Sequence, residues 1–189
     1  MNKHVQAVLL GLALACAAGA AVAQALTVPA LQRLLQSSAK SSVAFEEVRE
    51  SPWLPAPITS RGTLRSTPAA LEKRVESPRQ ETWRLLADRI EWTSAGGERK
   101  QVTFAQAPAL AALSAVMRGV VAGDLAALER EFRIEINGDE RVWRALLQPR
   151  NNEVGRRLES VELQGTGGRL QVIIVVERQG ERTTTRLQP

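Results

Sequence analysis

The sequence predicts a mainly β (α+β) domain: an antiparallel meander with a single helical interruption in its middle. Three observations carry this. Short segments in which apolar and polar residues alternate recur along the chain, separated by Gly, Pro and Asn signals at the roughly 8–12-residue spacing of a meander. One stretch, from Ala107 to Leu128, changes to helical spacing. Beyond the first 23 residues no segment is apolar for long enough to span a membrane, which takes about 20 residues.

Residues 1–23 read as a secretory signal. Lys3 gives the positive start, Val5 to Ala18 is largely apolar and uncharged, and Ala21-Val22-Ala23 is the small-x-small pattern before cleavage. Processing is expected before Gln24, leaving one soluble periplasmic domain over residues 24–189. Cys16 offers a second reading, lipidation at Ala13-Leu14-Ala15-Cys16. The usual site carries Leu three residues before the Cys, where this chain has Ala13.

Loss of the signal removes Cys16 and His4, the only cysteine and the only histidine. A mature chain of 166 residues, which is 189 less 23, then has no disulfide, thiol nucleophile, Cys/His zinc site or histidine base. No catalytic residue, metal or cofactor is expected. The 25 basic residues less Lys3, against 20 acidic ones, give +4, spread without blocks, and nucleic acid is not an expected partner.

The mature chain opens with an amphipathic helix between Leu26 and Lys40, with Leu31, Leu34 and Leu35 on one face, Thr27 as N-cap and Pro29 in the first turn. Strand patterning begins at Val43, Phe45 and Val48. It resumes from Ile58 to Ser66 after a link holding Pro52, Pro55 and Pro57. Leu71 to Glu76, Glu81 to Leu86, Arg89 to Thr93 and Arg99 to Phe104 are four further strands. Pro108 opens a helix in which Leu110, Leu113, Met117 and Val120 share a face, and a shorter helix with Leu125 and Leu128 follows Gly123-Asp124. Phe132 to Ile136 alternates again, Asn137-Gly138 signals a hairpin into Val142 to Leu147, and Asn151 to Arg157 suits a helical turn. Leu158 to Gln164, Arg169 to Glu177 and Arg182 to Leu187 are the last strands.

Few residues suggest covalent chemistry. Ser37 and Lys40 have the S-x-x-K spacing of serine acyltransferring enzymes, but the partner motifs are absent. Glu46 and Glu47 point to opposite faces of a strand, cannot flank one bond, and are expected to be solvated. Gly165-Thr166-Gly167-Gly168 joins two strands and reads as a hairpin, since a phosphate loop leads into a helix. Arg61, Arg65 and Arg74 are either solubilising or a contact for an anionic headgroup. What remains is an apolar surplus. Trp53, Trp83, Trp92 and Trp143, with Phe45, Phe104 and Phe132, are spread over the strands, and a curved sheet with few helices leaves an apolar face for a greasy ligand.

The order of elements resembles the LolA-like family of periplasmic outer-membrane lipoprotein carriers. Phe45-Glu46-Glu47-Val48-Arg49 is similar to that family's opening strand, and Gly62-Thr63-Leu64 followed by Pro68 and Leu71 to its G-x-L…R-P-x-x-L signature. Ala107 to Leu128 matches its lid region. Thr67 stands where the family usually has arginine before the proline. Leu71-Glu72-Lys73-Arg74 and Ser77-Pro78 look like the branch associated with lipid or polyene export.

The resemblance implies an incomplete β-barrel under a lid of short helices, working as a non-enzymatic monomer. It implies a carrier that binds the acyl chains of a lipoprotein or lipid, with an inner-membrane exporter as donor and an outer-membrane acceptor. Transfer of this kind needs no covalent step, because each buried CH₂ contributes about 0.8 kcal/mol. The expected cargo-binding residues are Phe45, Leu64, Trp83, Trp92, Phe104, Leu110, Leu113, Met117, Ile134 and Trp143, with Leu110, Leu113 and Met117 under the lid. The other reading is a periplasmic chaperone or adaptor that binds exposed polypeptide.

Overall fold

A computed structural model describes residues 25–38 and 41–188. The expected signal, its processing site, Cys16 and Lys40 lie outside the described residues. The first half contains helix α1 (Val28–Ser38) and strands β1 (Ser42–Glu50), β2 (Ile58–Ser66), β3 (Leu71–Ser77), β4 (Glu81–Leu85), β5 (Arg89–Ser94) and β6 (Arg99–Thr103). A 3₁₀ turn (Phe104–Gln106), helix α2 (Pro108–Ala122) and a second 3₁₀ turn (Ala126–Arg130) follow. The second half has β7 (Phe132–Gly138), β8 (Trp143–Pro149), the one-turn helix α3 (Asn152–Gly155), β9 (Leu158–Thr166), β10 (Arg169–Glu177) and β11 (Arg182–Gln188).

All eleven strands form one antiparallel sheet in the order β6-β5-β4-β3-β2-β1-β11-β10-β9-β8-β7. The sheet is curved and unclosed, with β6 and β7 as its ends, so it is an open sheet and not a barrel. The chain builds two meanders, β1 to β6 and β7 to β11, joined where β1 pairs with β11 from Ala44↔Gln188 to Glu50↔Arg182.

Local chemistry explains the punctuation. Thr27 caps α1, its hydroxyl accepting from the Ala30 amide at 3.3 Å. Helix α2 starts on Pro108, whose missing N–H is no loss there, and stops at Gly123 in the left-handed conformation, φ 72°. Thr67 closes the β2–β3 connection, its hydroxyl donating to the Ala70 carbonyl at 3.0 Å and accepting from the Ala70 amide at 3.1 Å. The β7–β8 hairpin forms, but not as a two-residue turn at Asn137-Gly138. Gly138 still pairs with Trp143, and Asp139 makes the turn by accepting the amides of Arg141 (2.8 Å) and Val142 (3.1 Å). Those two bonds hold the Asp139 carboxyl below its usual range.

Three expectations are corrected by the backbone. Phe104 ends the sheet in a 3₁₀ turn instead of extending β6, and the helix expected around Leu125 and Leu128 is 3₁₀. Trp53 is not on a strand: it stands in the proline-rich loop after β1, 77% exposed.

The helices all pack on one face of the sheet, and unevenly. The main core joins Leu31 and Leu35 of α1 and Ala112, Val116 and Val120 of α2 to the inner faces of β7 to β10. A much smaller core, Phe45, Leu64, Leu71 and Val75, lies on β1 to β3. Helix α2 straddles the two. Val120, expected to share a face with Leu110, Leu113 and Met117, is instead sunk in the main core, while Met117 touches both cores.

Candidate functional site

Cross-strand register fixes which residues share the inner face. Directly opposite residues of antiparallel strands point to the same side. The pairs Trp83↔Trp92, Leu85↔Ile90, Lys73↔Trp83, Leu64↔Lys73, Val43↔Leu64, Phe45↔Leu187 and Glu47↔Thr185 therefore set one continuous surface from β5 to β11. Arg61, Arg65 and Arg74 pair with Glu46, Ser42 and Thr63 on the opposite, exposed face, where Arg61 bonds Glu46 at 2.8 Å.

Between this surface and the free side of α2 lies a cavity of about 230 Å³. Leu110, Leu113 and Met117 form its roof, and Leu64, Leu71, Trp83, Leu85 and Ile90 its apolar floor. Its volume is below the roughly 300 Å³ at which drug-sized ligand pockets begin. A second cavity, about 130 Å³, lies under the last turn of α2 and is lined by Leu35, Val43, Val120, Val121, Leu170 and Leu187.

Of the ten residues expected from the sequence, Leu64, Trp83, Leu110, Leu113 and Met117 line the larger cavity. Phe45 sits beside it in the smaller core, with the Lys73 ammonium 5.1 Å from its ring centre. Trp92 shares the inner face with Trp83, their rings 6.3 Å apart, but does not reach the cavity wall. Both indole N–H groups donate to the Glu81 carboxylate, at 2.9 and 2.8 Å. Phe104, Ile134 and Trp143 lie elsewhere. Trp143 and Ile134 belong to the main core, and the Trp143 indole donates to the Gly167 carbonyl at 2.8 Å. Ser37 is exposed and gives its hydroxyl hydrogen to the Leu34 carbonyl at 2.7 Å.

The cavity also holds charge that the sequence reading assigned to solvent. Glu47, expected to be solvated, turns inward: its side chain is 15% exposed and its oxygens take the Lys73 ammonium at 2.6 and 2.7 Å. Lys73 is 22% exposed, and Thr185 donates to the same carboxylate at 2.9 Å. The bridge runs from β1 to β3 across β2 beside Gly62. A Cβ on Gly62 would run into the Arg74 carbonyl, so the strands approach there only because the side chain is missing. The signal for Glu47 was its parity: it lies two residues from Phe45, on the same face of the strand.

At the end of the cavity, burial and the adjacent Glu181 carboxylate hold Glu177 above its ordinary value of 4.5, with Arg49 and Arg157 opposing. The folded protein thus holds this proton more tightly than the unfolded chain. Stability tied to Glu177 is full below 4.5 and is lost as pH rises through the raised folded value. Glu177→Gln is expected to raise the melting temperature at neutral pH, with the gain disappearing in acid. Thermal unfolding across pH checks this, and an equal gain at both ends would contradict it.

The family described as outer membrane lipoprotein carrier protein LolA-like matches residues 17–188. The chain belongs to this LolA-like family. No curated protein matches the sequence. Among solved structures, this LolA-like chain is similar to a LolA superfamily protein, NE2245 from Nitrosomonas europaea, at 10% identity and TM-score 0.47, over 87% of this chain and 93% of that one. It is also similar to a putative outer membrane lipoprotein-sorting protein domain from Vibrio parahaemolyticus, at 9% identity and TM-score 0.45, over 87% and 90%.

Proposed function

We propose that this LolA-like protein is a periplasmic carrier that takes the acyl chains of a lipoprotein or lipid under α2 and shuttles them from the inner toward the outer membrane. The observation that carries this is the uneven packing of one sheet face. Helices fill the β7 to β10 half solidly, while among the described residues the cover over β1 to β5 is thin and comes from α2, through Leu110, Leu113, Met117 and Val121. Apolar surface left in this way is stabilised by any chain that covers it, at about 25 cal/mol per Å². Family membership supports the same reading.

The work is binding and release. Leu64, Leu71 and Ile90 desolvate the chain, and α2 yields on its free side while Ala112, Val116 and Val120 keep it anchored. Native mass spectrometry of protein purified from the periplasm is expected to show lipid-sized adducts. A protein free of lipid but bound to polypeptide would replace this reading with that of a chaperone or adaptor.

A further inference from the structure

We infer that the cavity under α2 is built for a long-chain ligand bearing a neutral oxygen acceptor, an ester carbonyl or a chain hydroxyl, and that Ser114 and Lys73 hold that oxygen. This rests on the carrier reading above and narrows its cargo.

Ser114 lines the cavity, the residue is 1% exposed, and its buried hydroxyl has no hydrogen-bond partner. A buried hydroxyl left unpaired is destabilising. A helical serine has an ordinary remedy, the carbonyl one turn back, and Ser114 does not take it. It stands on the roof with Leu110, Leu113 and Met117, where the rest of the lining from α2 is apolar.

The same cavity is lined by Glu47, Lys73 and Thr185. Lys73 has three N–H donors, and the carboxylate contacts at 2.6 and 2.7 Å use two of them. Glu47 already accepts from Thr185 as well. The Ser114 hydroxyl is thus left without an acceptor, and the third Lys73 N–H, with the Phe45 ring 5.1 Å away, is not taken by a carboxylate.

Charge decides what kind of acceptor fits. Lys73 is neutralised by Glu47 and Arg49 by Glu181, and Glu177 adds a further carboxylate, so an anion would enter a site with no net positive charge. A cation would find the Glu47 and Glu181 carboxylates already bonded to Lys73 and Arg49, with Glu177 alone left to receive it. A neutral oxygen meets neither cost, and the hydrocarbon on either side of it lies along Leu64, Leu71, Trp83 and Leu85.

The test is displacement of a pyrene-labelled alkane by methyl tetradecanoate, 1-tetradecanol and pentadecane, with wild type and Ser114→Ala. In the wild type at least one of the oxygen-bearing chains is expected to bind about tenfold tighter than pentadecane, and that advantage is lost in Ser114→Ala. Which chain gains more tells an ester from a hydroxyl. Without ligand, Ser114→Ala is expected to melt at or above the wild-type temperature, since an unpaired buried hydroxyl has been removed. Three equal affinities, or an advantage that survives in Ser114→Ala, overturn the inference and leave the carrier intact. Failure of the pyrene probe and all three chains to bind overturns the carrier reading, and this inference with it.

Discussion

Leu113→Glu is expected to cost about 100-fold in the affinity for a fluorescent fatty acid while leaving the domain folded. Leu113 is half-buried on the cavity side of α2 and touches the edge of the main core, so in the free protein a carboxylate there keeps part of its hydration. A bound acyl chain strips that water away, and an unpaired carboxylate against hydrocarbon costs several kcal/mol. The helix stays in place because Ala112, Val116 and Val120 hold it to the main core. Fluorescence titration with circular dichroism as the folding check decides the matter. Wild-type binding by a folded variant would remove α2 from the site, and outright unfolding would make Leu113 part of the core.

Trp143→Ala is expected to do the reverse. The indole is almost fully buried among the residues of β7 to β10, and its N–H is bonded to Gly167. Truncating so large a side chain costs about 3–5 kcal/mol, a serious loss for a domain whose whole stability is on the order of 5–15 kcal/mol. Urea unfolding should show that loss, while the folded fraction binds fatty acid as the wild type does. A variant of normal stability with weakened binding would bring Trp143 back into the cargo site, where the sequence placed it.

That contrast shows what could be read in advance. The strands were legible because alternation and turn residues are local, and each of the eleven is found where its pattern lies. The roof of the cavity was legible for the same reason, since Leu110, Leu113 and Met117 repeat at helical spacing. Whether an inward tryptophan faces solid core or cavity was not legible. Trp83 and Trp143 have similar strand contexts, and only the distribution of helices over the sheet separates them. The Glu47 to Lys73 bridge was out of reach too, because it depends on the registers of β1 with β2 and β2 with β3 together. Thr67 has become intelligible locally: it closes a turn.

The junction of β1 with β11 has a kinetic meaning. Every other strand pairing links neighbours in sequence, so each hairpin can zip soon after its turn forms. This one brings together residues as far apart as Ala44 and Gln188, and contacts of such separation are slow to form. The two half-sheets are therefore expected to form before they join. Until their seam closes, the first half-sheet has no main core to lean on, so the proposed capacity for cargo is expected to arrive with the last pairing to form.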